Sequence, residues 1–158
     1  MNQRKSVVYD KAKYHDDTVA EYGLTHEHSA IHILFFLGWL MDNDLMSDDF
    51  VSEWSTFIYK YKSRSSSPLA VFDWRDRCLT DDMLNDKANR FTQEYFDYEI
   101  GQYIADYTRI VVGSLPSLYH PKYSWDAQEL MNRQISKRYD TWNRKELPKW
   151  WMFWRKLA

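Results

Sequence analysis

The residues best suited to chemistry are histidines gathered near the start of the chain: His26, His28 and His32, with His15 and Asp16 just upstream. Imidazole nitrogens and carboxylates are the usual ligands of zinc and related first-row metals. On a helix His28 and His32 stand four residues apart and share a face, as a pair of ligands would. The zinc-hydrolase pattern His-Glu-x-x-His is absent, because Ser29, Ala30 and Ile31 fill the intervening positions. His26 lies two residues from His28 and would point elsewhere. The expectation is an N-terminal turn with His32 hydrogen-bonded inside the core, and no metal. A metal-dependent enzyme using His15, His28 and His32 is the alternative.

Three acid pairs, Asp16/Asp17, Asp48/Asp49 and Asp81/Asp82, have the residue types of a general acid and base. Two of the three fall where helices should begin, and there capping and the helix dipole already account for them. Cys78 is the single cysteine, with Arg75 and Arg77 nearby but no surrounding motif. It reads as a buried, inert thiol. The chain carries no Gly-rich phosphate loop, nucleophile elbow or Cys-x-x-Cys pair. No catalytic residue and no cofactor are assigned, and the chain is read as a non-enzyme.

The elements that must position these residues are mostly helical. Residues 1 to about 24 lack helical periodicity and read as an extended or irregular lead-in. Thr25 is placed to cap a helix from about His26 to Asn43, whose run Ile31 to Met41 is apolar nearly all round, as in a central helix. Ser47 with Asp48 and Asp49 opens the next helix, where Phe50, Trp54, Phe57, Ile58 and Tyr61 recur at helical spacing. Lys62 to Ser67 reads as a surface loop, and Ser67-Pro68 as a cap with proline at the first helical position. Thr80-Asp81-Asp82 is read as the start of a long helical stretch, with a second part from Ile100 to Val112 that Gly113 ends. Ser124 caps a last long helix. The fold class expected is all-α with at most a minor β element. It is one domain, 1–158, of about five to six helices, ending in a Trp-rich basic tail over 144–158.

Composition sets the outer bounds. The chain has 158 residues, enough for one domain with a proper core. Only 4 Gly and 4 Pro argue against a turn-rich β-sandwich. Aromatics reach 18%, which suits both a large-ring core and protein interfaces. One cysteine excludes an internal disulfide and fits a reducing compartment, and the first ten residues lack the apolar stretch of a secretory signal. A cytoplasmic location is expected. The longest apolar run, Ala30 to Met41, is too short to span a bilayer.

The net charge of −2 conceals an asymmetry. Tyr14 through Tyr59 holds nine acids and no Lys or Arg, whereas Arg133 to Lys156 holds eight bases against two acids. The two ends either pack together and partly cancel or stay solvated, or else the acidic part steers a basic partner. Direct binding of nucleic-acid phosphates by the N-terminal third is disfavoured. The tail, with Trp150, Trp151 and Trp154 among Lys and Arg, has the makeup of an interfacial anchor, of a partner contact, or of a cover for the base of the core.

Lys13-Tyr14-His15, then Ile31-His32-Ile33 and Phe36-Leu37-Gly38-Trp39-Leu40, resemble the opening of an uncharacterised bacterial domain family. Its members have a Lys-Tyr-His stretch followed by a helix of the type Thr-His-Ile-Gly-Met-Phe-Leu-Gly-Trp. Further similarities follow in order: Cys78 to Asp82 with Leu84-Asn85, Ala88-Asn89 with Phe91-Thr92 and Tyr95, Tyr103 with Asp106-Tyr107, Leu118-Tyr119, Ser124-Trp125 and Trp142. The resemblance covers about residues 11 to 143. It departs from the family where Ala30 or Ile31 replaces Thr and Leu34 replaces Gly, and where Thr18 to Leu24 replaces an acidic, proline-bearing segment. Members are encoded near polymorphic and contact-dependent toxins, so the resemblance implies an immunity or antitoxin-like role. It carries over no catalytic chemistry.

The function expected is thus binding and neutralisation of a cognate toxin, with a basic nuclease cleft as the fitting target. The contact residues expected are Asp16, Asp17, Asp42, Asp44, Asp48 and Asp49, with no membrane and no direct nucleic-acid partner. A peripheral membrane adaptor using the tail is the remaining alternative.

Overall fold

The computed structural model describes residues 5–147. The tail expectation falls largely outside them, and only its first residues, Arg144 to Leu147, are described. The order is β1 (Val8–Lys11), α1 (Asp16–Glu21), α2 (Ile31–Asp42), α3 (Asp48–Lys62), α4 (Leu69–Trp74), β2 (Cys78–Thr80), α5 (Asp86–Tyr95), α6 (Tyr103–Tyr107) and α7 (Trp125–Glu146). The described chain is mostly helical, with one small two-stranded sheet.

α2 is the axis of the core, buried at every position from Ile31 to Met41. Phe35, Phe36 and Trp39 are fully buried, each contributing about 1.5–3 kcal/mol by leaving water. α7 crosses α2 closely. Gln128 donates from Nε2 to the Phe35 carbonyl at 2.9 Å, and Trp39 Nε1 donates to Ser136 Oγ at 3.0 Å. The close approach needs Gly38, because a Cβ there would collide with the Gln128 amide and the Tyr61 hydroxyl.

Three caps form as expected. Ser47 accepts from the Phe50 N–H, and Ser124 from the Ala127 N–H at 3.1 Å. Gly113, at φ +56°, closes the π-helical turn Thr108–Val112 that follows α6. Other boundaries differ from expectation. Thr25 makes no side-chain cap, and His26–Ala30 is a 3-10 turn, so α2 begins at Ile31. Pro68 itself occupies the cap position of α4. Thr80 ends β2 and is followed by a 3-10 turn, Asp81–Met83, while Asn85 caps α5 by accepting from the Ala88 N–H at 2.8 Å. In both Thr cases the hydroxyl has no amide within reach, because a 3-10 turn directs the first N–H groups differently from an α-helix.

The lead-in is more ordered than its sequence suggests. β1 pairs antiparallel with β2, Asp10 facing Leu79 and Lys11 facing Cys78, with an irregular step between Val8 and Asp10. Irregular steps of this kind re-aim a side chain, and here Asp10 is left 2% exposed. A 3-10 turn, Ala12–Tyr14, then leads into α1. Cys78 is buried in β2, its thiol directed at the Asp76 carbonyl.

Candidate functional site

Side chains from separate elements converge on the Asp10 carboxylate. β1 supplies Asp10, the turn before α1 supplies His15, and the first turn of α2 supplies His32. His15 Nε2 lies 2.8 Å from Oδ1 and His32 Nε2 lies 2.8 Å from Oδ2. The Lys11 N–H donates to Oδ1 at 2.7 Å, and Tyr98, from the loop after α5, donates its hydroxyl to Oδ2 at 2.5 Å. His15 Nδ1 meets the Tyr119 hydroxyl at 2.8 Å. Tyr103 donates to the His32 carbonyl.

Burial by itself pushes the Asp10 carboxyl upward. The hydrogen bonds from His15 and His32, the positive field of His32 and the Tyr98 hydroxyl outweigh it and hold the group far below the usual carboxylate range. Burial pushes His32 down, against the pull of Asp10. The Tyr98 phenol is pushed up by burial and by the Asp10 charge. Asp10 is thus held as the carboxylate, faced by both imidazoles through their Nε2 atoms. His32 Nδ1 is fully buried and has no hydrogen-bond partner among the described residues.

Among the described residues, Asp10, His15 and His32 form a group whose donor atoms lie close enough together to hold a metal ion. This corrects the sequence-based set in one respect. His28 does not share a helix face with His32, because it sits in the preceding 3-10 turn, where its Nδ1 meets the Tyr119 carbonyl at 2.5 Å. His26 is exposed and pairs with Asp16 at 3.2 Å. Sequence reasoning placed His32 correctly in a buried hydrogen bond but missed Asp10, Tyr98 and Tyr119. The available signal was an acid at the inward register of a short strand, which is visible only once the lead-in is read as a strand.

The six acidic positions divide by environment. Asp16 opens α1 and accepts from Ser29 at 2.6 Å, while Asp17 is exposed beside it. Asp42 ends α2 and accepts from Tyr61 at 2.9 Å, Asn132 at 2.8 Å and both Arg64 terminal nitrogens at 3.1 Å. Asp44 pairs with Lys62. Asp48 and Asp49 stand exposed in the first turn of α3, with no ion-pair partner among the described residues.

A family model, Domain of unknown function (DUF7832), matches residues 8–121, and the chain belongs to that family. The matched span contains Asp10, His15, His32, Tyr98 and Tyr119 together. No curated protein and no solved structure gave a significant match. No described helix is long and apolar enough to cross a membrane.

Proposed function

We propose that this member of the DUF7832 family works by binding another protein, and that it is an immunity protein neutralising a cognate bacterial toxin. The observation that carries the reading is the outer face of α3. Asp49 and Glu53 stand four residues apart on one exposed helix face, with Asp48 beside them, and none has an ion-pair partner among the described residues. Like charges at this spacing oppose helix formation by a few tenths of a kcal/mol. Folding alone gives little reason for Glu53, whereas a basic partner surface does. Val51 and, beyond the irregular turn at Trp54, Tyr59 are also exposed on this helix, at 43% and 72%. Unpaired carboxylates on a helix that also exposes a tyrosine ring suit a basic, phosphate-binding cleft such as a nuclease toxin's. Asp17 is a further exposed acid, whereas Asp16 is engaged by Ser29 and His26, and Asp42 and Asp44 by Arg64 and Lys62.

The test is capture of the partner on the tagged chain, followed by protection of growth in cells that express a toxin domain so captured, with binding of the two purified proteins measured in parallel. Protection and tight binding are expected for the wild type. Both are lost in a triple variant carrying Asp48→Lys, Asp49→Lys and Glu53→Lys, whose helical circular dichroism stays intact. Unchanged protection by that variant would remove the α3 face from the interface, and failure of the wild type to protect would remove the immunity role.

A further inference from the structure

A second feature, independent of the toxin-binding reading, lies around Asp10. Asp10 Oδ2, His32 Nε2 and Tyr98 Oη form a triangle with edges of 2.8, 2.5 and 2.9 Å. Hydrogen bonding cannot satisfy all three edges. His32 brings one proton on Nε2 and Tyr98 brings one on Oη, and both are directed at the carboxylate. The third edge, between Nε2 and Oη, is left without a proton of its own. A cation bound to all three atoms satisfies every edge at once.

His15 Nε2 approaches from the other oxygen of the same carboxylate, and its ring stands edge-on to that of His32 with centroids 4.6 Å apart. We infer that Asp10, His15, His32 and Tyr98 form a closed binding site for a divalent first-row transition ion of the zinc type. Two imidazole nitrogens, a carboxylate and a phenol oxygen make a four-coordinate N and O donor set. Ion–ligand bonds of about 2.0–2.1 Å imply tetrahedral edges near 3.3 Å, so loading spreads the triangle by roughly half an ångström.

The protons balance without an outside acceptor for the imidazoles. Each ring binds the ion as its Nδ1–H tautomer, and on His32 that N–H has no acceptor among the described residues. On His15 the new Nδ1–H donates to Tyr119 Oη, the outer-shell partner that such ligands ordinarily have. Only the Tyr98 proton, if its phenol ligates as phenolate, leaves to solvent. Tyr98 also provides the way in. It is 48% exposed and lines an open groove of about 450 Å³ with Val8, Tyr9 and Phe96. With the phenol occupying the fourth position, no coordination site is left for substrate. The ion's role is to fasten β1 and the turn before α1 to α2.

The whole chain, stripped with a chelator, is titrated with Zn²⁺ and separately with Co²⁺ as a spectroscopic substitute. One ion per chain at micromolar affinity or tighter is expected, with a tetrahedral Co²⁺ spectrum and a raised melting temperature. His15→Gln weakens binding at least about a hundredfold, since loss of even an outer-shell partner typically costs ten- to a hundredfold. His26→Gln and Cys78→Ser leave it unchanged. Because Asp10 and His32 variants can fail to fold, the wild-type histidine ring resonances provide a second readout, with Zn²⁺ shifting His15 and His32 and sparing His26 and His120. No saturable binding, equal binding by His15→Gln, or shifts confined to His26 and His120 would each overturn the site.

Discussion

His15 and His32 share one carboxylate, each bonded at 2.8 Å to a different oxygen of Asp10. A single side chain of β1 thereby ties the lead-in to the central helix. The two rings that bear the Lys-Tyr-His and Ile-His-Ile motifs are neighbours in space. Four predictions follow from this arrangement and from the packing around it.

Replacing Asp10 with Ala removes the acceptor of His15, His32, Tyr98 and the Lys11 N–H together. Breaking a buried charged network in this way costs about 3 kcal/mol or more. Urea denaturation should show a midpoint well below that of the wild type, and Tyr98→Phe, which removes one donor only, should lose about 1 kcal/mol.

Asp106 links α6 to α7. It is 3% exposed and accepts from Arg138 Nε at 2.9 Å, Arg138 Nη2 at 3.0 Å and Tyr95 at 3.0 Å. Burial pushes its carboxyl up, but the bonds from Arg138, Gln134 and Tyr95 win and hold it below the ordinary value. A depressed folded pKa stabilises the fold above the unfolded value near 3.9, and that stability drains as pH falls through the lower, folded value. Melting temperature should therefore fall below about pH 4. Asp106→Asn should be destabilised by about 2 kcal/mol at neutral pH and show a shallower acid loss.

Gly38→Ala puts a methyl against the Gln128 amide, which is itself held by Phe35 and Asn132. Overpacking of this kind costs about 1–3 kcal/mol, read as a lower melting temperature. If the melting temperature rose instead, α7 would have to sit further from α2 than the Gln128 bond allows.

Asn85→Ala should cost about 1 kcal/mol because its side chain caps α5, and Ser47→Ala should cost a similar amount at α3. Thr25→Ala should leave stability nearly unchanged, since Thr25 makes no side-chain cap. Thermal melts of the three variants separate real caps from residues that only look like caps in the sequence.

The sequence by itself determined the elements whose signals are local. The apolar run from Ile31 to Met41 defined α2, and Ser47 and Ser124 with their acidic followers defined the starts of α3 and α7. Gly113 marked an end because positive φ is cheap for glycine. Each of these depends on residues within four or five positions of one another. The tertiary structure decided what depended on distant partners. β1 exists because β2, about seventy residues on, offers it a ladder, and Asp10 is buried because the register of that pairing turns it inward. His32 was legible as a buried polar residue on an apolar helix, but its partners were not. A hydrogen bond across 22 residues to Asp10, or across 66 to Tyr98, leaves no periodic trace in the chain. The same reason separates Asp42 from Asp49. Both are acids at helix ends, and only the packing of α3 and α7 against α2 gives one of them Arg64 and Asn132 while leaving the other facing solvent.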